Sequence, residues 1–148
     1  MKTLFAFILL IGTLLFTECK KYPEGPALSL RTKKERIANT WKLSKYLENS
    51  VDLTSNFNSI FTQFSFYASK DGHYTISRQY QSFFNTTESG TWTLSSNKKD
   101  FTLNPSSISA GTLPNYSTWQ ILKLYEKEFW LRTLDANGKL IEYHLIPQ

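Results

Sequence analysis

The sequence predicts an all-β domain of about eight short antiparallel strands, closed as a barrel or stacked as a sandwich. Three observations carry this expectation. From Trp41 onward the 148-residue chain is rich in aromatic, threonine and serine residues, with little helix-length apolar periodicity. Glycine, proline, asparagine and aspartate signals cut that region into short runs, as sandwiches and barrels require. Within the runs apolar and polar residues alternate, so each strand has one face to bury and one to solvate.

The chain opens on Lys2 and the apolar run "LFAFILLIGTLLF", Leu4 to Phe16. Thirteen residues span only ~20 Å as a helix, short of the ~30 Å hydrocarbon core of a bilayer. A basic start, a short apolar stretch and a prompt return to polarity describe an export signal over residues 1–18. Cys19 follows directly and is the chain's single cysteine, which excludes an intrachain disulfide. Nothing local beyond Lys20 and Lys21 would activate it as a thiol. The stretch resembles the bacterial lipoprotein signal, whose cysteine becomes the lipid-bearing first residue. Glu18 departs from it, standing where that signal normally carries a small residue. Cys19 is therefore the expected lipidation site, attaching the protein to a membrane.

Residues 19–36 read as a tether, with Pro23, Gly25 and Pro26 disfavouring regular structure. Residues 20–36 hold six basic groups against Glu24 and Glu35, a net of +4. Residues 37–148 hold ten basic and nine acidic groups, a net of +1. The basic character belongs to the tether and not to the domain at 37–148. A nucleic-acid partner is not expected, since that would put the basic stripe on the folded part. Lysines beside a lipid anchor suit anionic headgroups or simple solvation.

A short helical turn, "TKKERIAN", is expected ahead of strands at 40–48, 61–69, 73–84, 89–95, 100–104, 116–125, 128–135 and 139–146. The polar gaps 49–60 and 105–115 are expected as loops, the second holding Pro105, Gly111 and Pro114. In "SKDGH", a loop of Lys70, Asp71 and Gly72 pairs Phe66 with Ile76 and Ala68 with Tyr74, keeping apolar residues on one face. A loop at 96–99 likewise sets Leu94 beside Phe101 and Trp92 beside Leu103. Asn137-Gly138 is the strongest hairpin signal. The inward face that follows carries Trp41, Leu43, Leu47, Phe64, Phe66, Tyr74, Ile76, Tyr80, Trp92, Leu94, Phe101 and Leu103. Lys42, Ser44, Glu48, Gln63 and Thr75 fall on the opposite face. In the last three strands apolar residues occupy both faces, and alternation does not choose between them.

In order and spacing, "CKKYPEGPALSLRTKKERIANTWKL" (19–43), "SGTWTL" (89–94), "WQILKL" (119–124) and "NGKLIEYHLIP" (137–147) resemble the lipocalin-like lipoproteins of Bacteroidota. The resemblance covers essentially the whole chain after Cys19. It implies an up-and-down barrel of about eight strands, with Trp41 closing the floor and a calyx for a small apolar ligand. Asn39 replaces the glycine that lipocalins carry two residues before that tryptophan. Because Lys20-Lys21 depart from the acidic residues common after the cysteine in surface-exposed members, a periplasm-facing anchor in the bacterial envelope is expected.

Catalytic chemistry is sparse. His73 sits by a tight turn and His144 on the final strand, with no nucleophile placed beside either, and the two histidines make no metal set with Cys19. Asp71, Asp135 and Glu88 are read as turn acids. No enzyme, metal or cofactor is expected. Arg78 stands apart, lying between Ile76 and Tyr80 on the interior face, where a charge is costly unless paired. It either grips an acid or ligand headgroup with two hydrogen bonds, or snorkels to the rim. The expected ligand contacts are Arg78, Tyr74, Tyr80, Trp41, Phe66 and Trp92. The expected function is a membrane-tethered module that binds a small amphipathic or hydrophobic ligand. The competing reading is a structural or interaction lipoprotein with a filled barrel, docking a partner through Tyr46, Tyr67 and Trp130.

Overall fold

A computed structural model describes residues 29–81, 83–108 and 118–148. The expected export signal, Cys19 and the tether up to residue 28 lie outside the described residues, as do 109–117, where the sixth expected strand begins. The elements in chain order are α1 (Lys33–Ile37), β1 (Asn39–Glu48), β2 (Val51–Asp52), α2 (Thr54–Ile60), β3 (Phe61–Ala68) and β4 (His73–Tyr80). They continue with β5 (Phe84–Leu94), β6 (Asp100–Ile108), β7 (Thr118–Leu124), β8 (Phe129–Leu134) and β9 (Leu140–Pro147). Strands β3 to β9 pair antiparallel in sequence order, and β1 pairs with both β3 and β9. The result is a closed eight-stranded up-and-down barrel, with β2 as a two-residue extra strand on β1.

One end of the barrel is closed by α1. The helix is a single turn, too short to persist on its own. A capping box starts it: Thr32 Oγ1 accepts from the Glu35 N–H at 3.2 Å, and Glu35 Oε2 accepts from the Thr32 N–H at 2.8 Å. Burial of Arg36 and Ile37 then fixes it to the barrel. Arg36 Nη1 donates to the Leu124 carbonyl at 3.2 Å, and the Trp41 indole N–H donates to the Ile37 carbonyl at 2.8 Å. The packed region thus starts at the Thr32 cap, ahead of residue 37.

Lys70, in the β3–β4 turn, joins this end through a 2.6 Å contact of its Nζ with Glu35 Oε1. That bond, with the Thr32 bonds behind it, pulls the Glu35 carboxyl from its ordinary 4.5 to about 2. A carboxyl depressed in the folded state stabilises it fully above 4.5, and the contribution disappears as pH falls toward 2. Lys70→Met is therefore expected to move the Glu35 titration, followed by carboxyl NMR, back toward 4.5. The amides of α1 should then lose exchange protection at a higher pH than in the parent protein. An unmoved titration would assign the shift to the capping box alone.

The hairpins set the register as expected. Gly72 takes φ +97°, Phe66 pairs with Ile76, and Ala68 pairs with Tyr74. Across the next turn Trp92 pairs with Leu103 and Leu94 with Phe101. At the β8–β9 turn Gly138 takes φ +75° while Asp135 Oδ1 accepts from the N–H groups of Asn137 and Lys139. The expected strand 73–84 is corrected: β4 ends at Tyr80, the chain turns with Gln81 at φ +41°, and Phe84 starts β5 opposite Tyr80. That turn contains neither glycine nor proline, so the sequence marks no break there.

Two further expectations change because β-bulges shift the alternation. On β1 the register slips between Leu43 and Lys45, so Ser44 is the extra residue. Beyond it Tyr46 and Glu48 face the interior, in place of the expected Leu47. On β3 a slip between Phe61 and Gln63 brings Phe61 inward alongside Phe64. The undecided strands also resolve: Phe129, Leu131, Ile141 and Leu145 are buried in the core, while Trp130 turns outward onto His144. Glu88, read as a turn acid, lies within β5 opposite Ile76 and is 1% exposed. On the same strand Gly90 is required, since a Cβ there would meet the Asn104 carbonyl oxygen at 2.2 Å.

The expected loop 49–60 contains α2. Its N-cap residue Leu53 offers no side-chain bond, Asp52 Oδ1 accepts from the Thr54 N–H instead, and Phe57 is its one buried residue. Pairing of β1 with β3 stops at Lys42–Ser65, and α2 packs across the two strands beyond that point. The ring of Phe57 lies 5.0 Å from Tyr46 of β1 and 4.8 Å from Phe61 of β3. Leu53, Phe57 and Ile60 recur at helical spacing, which is the signal that a composition-based reading of this segment passes over.

Candidate functional site

The floor of the barrel is solid. Trp41 and Phe101 are fully buried, and Trp41 and Phe129 lie 5.6 Å apart. Phe101 is 5.5 Å from both Phe129 and Trp92. Tyr74 joins this layer, its hydroxyl donating to Glu88 Oε1 at 2.6 Å. Burial first, and the Glu88 bond second, push the Tyr74 hydroxyl pKa far up, so it remains a donor.

Above the floor lies a cavity of about 520 Å³. Its lower wall is apolar, formed by Phe66, Ile76, Phe101, Leu103, Leu131 and Leu145. Trp119 and Tyr143, whose rings lie 5.1 Å apart, complete one side. The upper wall carries Tyr46, Phe57, Phe61, Phe64 and Tyr80 together with the polar residues Glu48, Asn56 and Arg78. The cavity reaches the surface beside α2, where Asn56 and Ile60 are exposed.

The two ionic side chains of that lining differ in their surroundings. Glu48 accepts from the Tyr46 hydroxyl at 2.6 Å and from Lys139 Nζ at 2.7 Å. The lysine bond first, then the tyrosine bond, hold its carboxyl below the usual range. Arg78 is 9% exposed, and its Nε and Nη1 are buried without a hydrogen-bond partner among the described residues. Its guanidinium carbon lies 5.9 Å from the Phe64 ring centroid, the outer limit of a cation–π contact. Arg78 thus points inward and does not snorkel into solvent.

Of the six expected ligand contacts, Arg78, Tyr80 and Phe66 line the cavity. Trp41, Trp92 and Tyr74 belong to the floor beneath it. Tyr46, Glu48, Phe57, Trp119 and Tyr143 join the lining without having been expected there. Tyr46 was expected on the outer face as a docking residue and is instead interior. Trp130 does lie outside, sandwiched between His144 at 4.0 Å and Lys123 Nζ at 4.1 Å, while Tyr67 is exposed. His73 is likewise exposed, 3.7 Å from Asp71.

Comparison with solved structures places this architecture. A lipocalin-like protein from Bacteroides uniformis superposes with a TM-score of 0.50 at 12% identity, over 76% of this chain and 99% of that one. The fold is lipocalin-like. No protein-family model matches the chain. A search of curated proteins finds no match either. The lipocalin-like barrel is therefore established by shape.

Proposed function

We propose that this protein is a lipid-anchored envelope protein, held through Cys19, whose barrel binds one small amphipathic or hydrophobic molecule without catalysis. The observation that carries the reading is the cavity of about 520 Å³ above an intact floor. Ligand pockets run from ~300 to ~1,000 Å³, whereas a barrel serving only as scaffold is filled by its own side chains. Volume therefore supports the binding reading over the filled-barrel interaction reading. The lining suits such a ligand: a continuous apolar lower wall for contact area and a few polar groups near the opening. The anchor and periplasm-facing location rest on the N-terminal sequence.

Titration of purified, delipidated full-length protein with fatty acids and lyso-lipids tests the proposal. Trp119 lines the cavity and provides the fluorescence signal. Saturable quenching or enhancement at one site per chain is expected. Absence of saturable binding across these classes would refute the ligand reading and favour the scaffold.

A further inference from the structure

Building on that reading, we infer that the cavity holds a singly charged anionic amphiphile, with its tail on the floor and its head on Arg78. The argument begins with height along the barrel. Strand β4 runs from the floor to the mouth, so Tyr74, Ile76, Arg78 and Tyr80 mark successive levels of one interior face. Tyr74 lies in the floor, Ile76 in the apolar lower wall, and Arg78 one level below the rim residue Tyr80. The lining at or below Ile76 is mostly hydrocarbon, from Phe66, Phe101, Leu103, Leu131 and Leu145, with the Trp119 ring at the level of Phe101 and Tyr143 opposite Leu131. A polar head finds few hydrogen-bonding partners among that mostly apolar lining, while an alkyl tail fills the volume and displaces poorly bonded water.

Charge gives the class of the head. Among the described residues two ionic side chains line the cavity, and Lys139 neutralises one of them, Glu48. Arg78 remains, with its Nε and Nη1 buried and lacking protein hydrogen-bond partners. A buried cation whose nitrogens lack hydrogen bonds is expensive, and an anionic head at its level offsets that cost with charge-assisted hydrogen bonds. Tyr80, the next residue on the same face, borders the same space with a hydroxyl. One free positive charge matches one negative charge. A carboxylate fits this directly; a phosphate monoester carries nearly twice that charge, and Glu48 stands in the same lining.

The test uses delipidated full-length protein with three probes of equal tail length: palmitate, methyl palmitate and a palmitoyl lysophosphatidate. Palmitate should bind roughly tenfold or more tightly than the ester, the range of a charge-assisted bond. Arg78→Met should bring palmitate to the affinity of the ester and leave the ester unchanged, while Arg78→Lys restores part of the difference. The unliganded Arg78→Met protein should melt no lower than the parent, because it removes two buried nitrogens that lack hydrogen-bond partners. Equal palmitate and ester affinities, or an Arg78→Met variant unchanged toward palmitate, would overturn the head assignment while leaving the ligand reading intact. Tighter binding of lysophosphatidate would overturn the single-charge assignment. Failure of every probe to bind removes both proposals. Orientation is read separately with nitroxide-labelled stearates. Trp41, Trp92 and Trp119 cluster with floor residue Phe101, so a nitroxide at the tail end should quench more than one beside the carboxylate. The reverse order would overturn the orientation.

Discussion

Replacing Trp41 by alanine should lower the unfolding free energy by about 3–5 kcal/mol, the range for deleting a large buried aromatic. Trp41 has no exposed surface, so the deletion leaves its full volume as a void against Phe129, at 5.6 Å. It also strands the Ile37 carbonyl, which receives the indole N–H at 2.8 Å. That bond ties α1 to the barrel interior, so the floor helix should loosen as well. Trp41→Phe separates the two contributions. It keeps the six-membered ring and loses the hydrogen bond with a smaller part of the volume, for an expected cost of roughly 1–3 kcal/mol. Denaturant midpoints with an unchanged slope give the measurement. A single domain is stable by only ~5–15 kcal/mol, so the alanine change removes a large share. A loss below about 1 kcal/mol would contradict a packed floor.

Trp41 also shows what was legible beforehand. Its burial follows from alternation, and its place at the floor from the resemblance that "NTWKL" carries. The registers of β3–β4 and β5–β6 follow equally well, because Gly72 and the 96–99 loop fix which residues face each other. Alternation fails where the period itself slips. Ser44 is an ordinary polar strand residue, and nothing in its type announces the bulge that sends Tyr46 and Glu48 inward. The turn after Tyr80 is silent for a similar reason, since Gln81 adopts positive φ without being glycine or asparagine. Glu88 was misplaced because acids are commoner in turns than on the inner face of a strand. The Tyr74 hydroxyl, brought close by pairing of β4 with β5, helps to make its burial tolerable.

The site was legible by face but not by depth. Period-two alternation reports whether a side chain points inward, and Arg78, Tyr74, Tyr80, Trp41, Phe66 and Trp92 all do so or border the interior. It carries no information about level along the barrel axis. Depth depends on where the strands begin relative to one another and on what closes each end. The α1 cap converts Trp41, Trp92 and Tyr74 from lining into floor, and α2 brings Phe57 into the upper wall. Both helices are single-turn or two-turn pieces whose helical signal is weak and whose existence depends on docking.

That dependence makes Phe57→Ala the variant with the largest expected effect on ligand exchange. Phe57 is the sole buried residue of α2, and its ring meets Tyr46, Phe61, Phe64 and Tyr143 at 4.8 to 5.9 Å. The seven-residue helix has no side-chain cap from its N-cap residue Leu53 and is held at that end by Asp52 Oδ1, which accepts from the Thr54 N–H at 3.0 Å. Truncation removes about 3–5 kcal/mol of local packing, more than so short a segment can replace from its own backbone bonds. The barrel strands close on one another through β1–β9 pairing and do not need α2. Local rather than global opening is therefore expected. In hydrogen exchange, amides of 54–60 should lose protection while those of β4 and β5 keep it. Stopped-flow release of palmitate should accelerate about tenfold or more, because the cavity meets solvent beside this helix. Phe57→Leu keeps an apolar plug of smaller size and should fall between the two proteins in both measurements. Retained protection of 54–60 in Phe57→Ala would show that α2 is held by something other than this ring, and faster release would then have to come from the lost wall contact alone.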